Sequence, residues 1–86
     1  MFKLDNYMQI SRDKEKPLNQ FKRGETSTVK RFSTKEDKTL QKLLAMGIVP
    51  GRIISVKQTY PVFILQIDKT QAAMDKELAE NIIMQT

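Results

Sequence analysis

Glu77 and Glu80 stand three residues apart in the stretch D-K-E-L-A-E-N-I. Carboxylates at that spacing share one face of a helix and can hold a hard divalent cation between them. The same spacing also belongs to ordinary solvated helical pairs, and exposed charges are worth little. The 86-residue chain contains no cysteine and no histidine. These absences remove the thiolate and imidazole metal sets and the Ser-His-Asp and Cys-His nucleophile pairs, so the chain is read as a non-enzyme without a resident cofactor. Fe(II) or another divalent metal held by exposed carboxylates alone would exchange quickly and select poorly, so metal contact is expected to be weak.

A second stretch, L-L-A-M-G-I-V-P-G at 43–51, has the small residues of an anion-binding loop. Such a loop needs its glycines ahead of a helix, where free N–H groups point at the anion, and here they follow one. Gly47 instead suits the left-handed residue that ends a helix, with Ile48 folding back on the last turn. Pro50 and Gly51 suit the two central positions of a type II turn. All three are read as structural.

Contact with a partner is the remaining use for side chains here. Tyr60, Pro61 and Phe63, with Lys57 nearby, form one candidate surface; Met46, Ile48 and Val49 form a second. Aromatic and Met side chains supply contact area at interfaces, although the same residues also serve ordinary loop packing.

The net charge of +5 sits in the first half: residues 1–42 hold eleven Lys or Arg against six Asp or Glu, and residues 43–86 hold four of each. A basic surface attracts nucleic acid, acidic lipid or acidic protein, while interspersed signs equally describe a solvated face. Single-strand binding needs aromatic platforms between cations. Six aromatics and no tryptophan, with Phe32 and Phe63 assigned to the core, leave few for stacking, so no nucleic-acid partner is expected.

The elements that must carry these residues follow from periodicity and punctuation. Residues 1–20 are read as a mobile or loosely docked N-terminal extension and 21–86 as the folded domain, because S-R-D-K-E-K-P-L-N-Q-F-K-R-G-E offers little apolar surface to offset ordering. T-S-T-V-K-R-F reads as a first strand. Ser33 and Glu36 have capping-box spacing, predicting a helix over about 34–46 with Leu40, Leu43 and Leu44 facing the core and Lys35, Lys38 and Lys42 facing water. R-I-I-S-V-K-Q-T-Y, V-F-I-L-Q-I-D and K-T-Q-A-A-M read as three strands. A helical turn near 75–81 starts at Asp75, and I-I-M-Q closes the chain as a last strand. So many short strands in so few residues predict a mainly β, strongly bent sheet closing into a small barrel. The longest nearly apolar stretch, 43–49, is too short to cross a membrane and the first residues lack a secretory apolar centre, so a cytoplasmic protein without membrane insertion is expected.

The order L-x-x-L-L-A-M-G-I-V-P-G-R-I-I-S-V, then V-F-I-L-Q-I-D, then A-A-M-D-K-E-L-A-E-N-I-I-M resembles the FeoA family of ferrous iron transport accessory proteins, over about Gly24 to Met84. No one motif is specific; their sequence and spacing together carry the likeness. The resemblance implies a Src-homology-3-like small β-barrel with one helix inserted after the first strand. It implies a cytoplasmic protein, held at the inner membrane face by the GTPase domain of the transporter FeoB, with transition metal ion binding ascribed to the family and self-association left open. The same fold occurs as the C-terminal domain of DtxR-like repressors. Two alternatives therefore stand beside it: a nucleic-acid-binding barrel, and a detached repressor-type domain taking a proline-containing peptide in a groove of Tyr7, Tyr60 and Phe63. Many relatives keep a glycine in the hairpin where this chain has Asp68-Lys69-Thr70.

Overall fold

The computed structural model describes residues 14–86; Tyr7 and the rest of residues 1–13 lie outside the described residues. Six antiparallel strands form one sheet: β1 (Glu15–Pro17), β2 (Thr26–Phe32), β3 (Ile53–Gln58), β4 (Phe63–Ile67), β5 (Thr70–Met74) and β6 (Ile82–Gln85), in the spatial order β1-β6-β2-β3-β4-β5. Helix α1 (Asp37–Ala45) is inserted after β2, the short α2 (Lys76–Ala79) precedes β6, and a 3-10 turn (Leu18–Gln20) follows β1. The ladder register shifts between Val29 and Arg31 and again between Val56 and Gln58. Such bulges bend a strand, and here they let a six-stranded sheet curl about its core. The fold is the mainly β, strongly bent sheet that the strand pattern predicts, in the SH3-like form that the family resemblance implies.

Alternation sorts the side chains. On β4, Phe63, Leu65 and Ile67 are buried while Ile64 and Gln66 are half-buried, and on β3 Ile54 and Val56 point inward between more exposed neighbours. Met84 and Ile82 of β6, Val29 of β2, Leu43 of α1 and Ile48 join them in one core. Phe32 packs against that core half-buried, and Phe63 lies within it at 3% exposure.

The end of α1 follows the expectation in detail. Gly47 N–H donates to the Leu44 carbonyl at 3.0 Å and Ile48 N–H to the Leu43 carbonyl at 3.0 Å, the paired bonds of a Schellman end, with Gly47 at φ +86°. Arg52 N–H then donates to the Val49 carbonyl at 3.1 Å across Pro50-Gly51, with Gly51 at φ +93° as a type II turn requires. The same turn is pinned to β2, because Gly51 N–H donates to Val29 O at 2.8 Å and Val29 N–H to Arg52 O at 2.9 Å.

The start of α1 departs from expectation. The helix begins at Asp37, with Glu36 as the flanking extended residue and no side-chain cap. In a capping box the Glu36 carboxylate would accept the Ser33 N–H. That N–H already donates to Asn81 O at 2.9 Å, continuing the contact of β2 with the chain before β6, so the backbone is still extended at Ser33. Thr34 Oγ1 accepts from Glu36 N–H instead, and the Thr39 hydroxyl donates to the Glu36 carboxylate. A nine-residue helix buries one narrow stripe: Leu43 is fully buried, Leu40 half-buried, and Leu44, expected in the core, is 49% exposed.

The N-terminal boundary also moves. Glu15, Lys16 and Pro17 pair with Gln85, Met84 and Ile83, and Leu18 and Phe21 enter the core at 0% and 6% exposure. Residues 15–20, assigned above to an extension, are therefore integral to the fold. The polar neighbourhood hid two apolar anchors, and the free edge of β6 supplied hydrogen-bond partners that no local pattern announces.

Asp75 caps α2 as read, its Oδ1 accepting the Leu78 N–H at 2.7 Å. Asp75→Ala is expected to lower unfolding free energy by about 0.5–2 kcal/mol, with Asp75→Asn nearly neutral, in thermal melts of the two variants.

In the β4–β5 hairpin, Asp68 takes φ +59°, the left-handed conformation that glycine enters without steric cost. Asp tolerates this region better than most residues. Gln66 Nε2 also donates to Asp68 O at 2.8 Å and bridges the turn, so the hairpin remains tight.

Candidate functional site

Glu77 and Glu80 lie at α2, Glu77 in its first turn and Glu80 just past its end, both exposed. Glu77 shares a polar hollow of about 300 Å³ with Asp75, Lys38 and Lys42. Asp75 is committed to capping, and two lysines face the carboxylates, so the local field opposes a cation. Among the described residues no group of three or more His, Cys, Asp or Glu side chains converges to hold a metal ion.

The two predicted contact surfaces are separate places. Met46 lines a hollow of about 310 Å³ with Ala45, Arg52, Ile67 and Asp68, while Val49 is half-buried. Ile48, predicted to join them at a partner surface, is 0% exposed, because the Schellman end turns it into the core. At the β3–β4 hairpin, Tyr60 is 85% exposed and Pro61 is exposed; the loop is braced by Gln58 Nε2 donating to Val62 O at 3.2 Å. Phe63 belongs to the core, yet its ring still forms part of a cleft wall. Lys57 is exposed on β3 but does not line that cleft.

The cleft encloses about 420 Å³ between the hairpin and the 3-10 turn, walled by Tyr60, Pro61, Phe63, Phe21, Asn19 and Lys76 among others. Asn19, Phe21 and Lys76 escaped the sequence reading, since they come from two distant segments that only folding brings together. The usable signal was weak: Leu18 and Phe21, three residues apart in an otherwise polar stretch.

The basic first half is partly neutralised. Glu15 pairs with Lys30 Nζ at 2.8 Å and Arg31 Nη2 at 2.6 Å, while Lys16 approaches Glu25 at 3.8 Å and lies 4.4 Å above the Phe21 ring. Hydrogen bonds from Lys30 and then Arg31 hold the Glu15 carboxyl below its ordinary value of 4.5. A lowered folded-state value favours folding above that ordinary value and loses its effect as pH falls through the folded one. Glu15→Gln should therefore be less stable than wild type at pH 7, with the difference shrinking as the acid range is entered and Glu15 becomes protonated in the folded protein, read in urea melts; a constant difference across that range would contradict this assignment. Tyr60 is the one well-exposed aromatic among the described residues, which leaves a strand-stacking surface without successive platforms.

A curled antiparallel sheet around a single core, with exposed hairpin tips and shallow clefts, defines a small SH3-like barrel. No helix among the described residues is long and apolar enough to cross a membrane. The FeoA domain matches residues 16–86, and the chain belongs to the FeoA family, which is associated with ferrous iron transport. The crystal structure of an iron uptake regulatory protein (FeoA) superposes with a TM-score of 0.76 at 26% identity, covering 81% of this chain and 93% of that one. The zinc complex of FeoA from Stenotrophomonas maltophilia, a procaryotic SH3 domain protein, gives 0.68 at 18% identity, covering 79% and 87%. A manganese-dependent transcriptional repressor gives 0.77 at 20% identity over 84% of this chain but 41% of its own length, a likeness of fold alone. No curated protein matches the chain significantly.

Proposed function

We propose that this protein is a non-enzymatic accessory subunit of ferrous iron uptake that binds the cytoplasmic GTPase domain of the transporter FeoB. The observation that carries this reading is the FeoA domain match over 16–86, nearly the whole described chain. The exposed Tyr60-Pro61 hairpin tip beside an aromatic-walled cleft supplies a surface suited to contact. Bound there, the protein works in the cytoplasm at the inner membrane face. It influences nucleotide hydrolysis by binding the transporter's conformational states with different affinity, since equal affinity would shift nothing.

Retention of the soluble GTPase domain on immobilised full-length protein tests this directly. Retention that differs between nucleotide-free, GDP and GTP-analogue states is the expected result. Absence of retention in every state would argue against direct coupling.

A further inference from the structure

Three features of the cleft between the 3-10 turn and the β3–β4 hairpin set it apart from the other hollows. Of the three aromatic rings that wall it, Phe21 and Phe63 are anchored in the core at 6% and 3% exposure and therefore held rigidly, while Tyr60 stands at the exposed rim. Lys76 is the one charged residue lining it, and among the described residues it makes no ion pair. Asn19 lines it too, and its side-chain oxygen is shut off from solvent without a hydrogen-bond partner. A buried carboxamide oxygen left unpaired carries a desolvation cost that the fold does not recover internally. A partner that supplies a donor recovers it.

We propose that this cleft takes an extended acidic segment of a protein partner. An apolar side chain of the segment seats against Phe21, Phe63 and Pro61, with Tyr60 closing over it from the exposed rim. A neighbouring Asp or Glu meets Lys76 Nζ. The Asn19 carboxamide turns about its soft terminal torsion and accepts a backbone N–H of the segment. A volume of about 420 Å³ suits one or two side chains, at the lower end of the range of about 300–1,000 Å³ for small-ligand pockets. The acidic character follows from the sign of the only charge on the walls, and the extended form from the need for an unpaired backbone N–H. This inference rests on the transporter reading only for the partner's identity, not for the chemistry of the cleft.

Titration of isotope-labelled full-length protein with three capped hexapeptide sets, apolar residues alternating with Glu, with Lys, or arranged as PxxP, separates the two. The Glu set should shift the amide resonances of Asn19, Tyr60 and Lys76, and the effect should weaken with salt. Lys76→Glu should weaken that binding by about tenfold or more, since like charges then face each other. Asn19→Leu should weaken it by about fivefold, while its urea midpoint stays equal to or above wild type, because an unpaired buried acceptor has been removed. Equal shifts with the Lys or PxxP sets, shifts mapping elsewhere, or no shifts at millimolar peptide would overturn the proposal. So would an Asn19→Leu variant less stable than wild type, which would show that the oxygen already serves the fold. Peptide binding without retention of the GTPase domain would leave the cleft assignment standing and remove the transporter reading.

Discussion

Replacing Leu18 with alanine should lower the unfolding free energy by about 2–5 kcal/mol, the usual range for emptying a filled leucine site. Leu18 is 0% exposed and sits in the same cluster as Phe21, Leu65 and Met84. Domains of this size are stable by about 5–15 kcal/mol in total, so the loss is a large fraction of the whole. Leu44→Ala is the matched comparison, the same truncation at a position 49% exposed, where surface changes stay within about 0.5 kcal/mol. In urea melts the Leu18 variant should show a lower midpoint at an unchanged slope, as expected when stability falls but the cooperative unit does not. Two variants with indistinguishable midpoints would mean that the 3-10 turn lies outside that unit, which would restore the original boundary at residue 20.

The second large effect is at Gly47. Its φ of +86° is a region that L residues enter only with strain, and beyond its own chain neighbours no atom lies within 4 Å of where a Cβ would stand. The cost of a side chain is therefore a backbone cost without a packing clash. Gly47→Ala should lose about 1–2 kcal/mol, and Gly47→Val should lie at or above the upper end of about 1–3 kcal/mol because branching worsens the same contact. A synthetic chain with D-alanine at 47 should behave oppositely. It accepts positive φ and restricts the unfolded chain, so it should gain about 0.4–1 kcal/mol over glycine. Loss of stability with both enantiomers would place the strain in crowding and not in handedness.

These two positions also mark how far local reading reached. Gly47, Ile48, Pro50 and Gly51 were legible because each turn type demands particular backbone angles that few residues supply. The inward sets of β3 and β4 were legible because a period of two survives in I-I-S-V-K-Q and F-I-L-Q-I. The capping box at Ser33 failed because its spacing was right while the donor it needed was already bound to Asn81 O. Leu44 failed because a stripe three residues wide was assumed for a helix that buries one. Ile48 was right as a structural anchor and wrong as a contact residue for one and the same reason, its rotation into the core.

By itself the sequence determined the backbone corners, the order of the five strands from Thr26 onward, and the want of imidazole and thiolate chemistry, since these depend on residue type or on neighbours a few positions away. The tertiary structure alone decided that Glu15–Pro17 is a strand against β6, that Leu18 belongs to the core, and that Asn19, Phe21, Tyr60 and Lys76 face one cleft. Those outcomes depend on pairings between segments about 40 to 70 residues apart, where loop closure must be offset by shared burial, and no short window of sequence contains both sides of that balance.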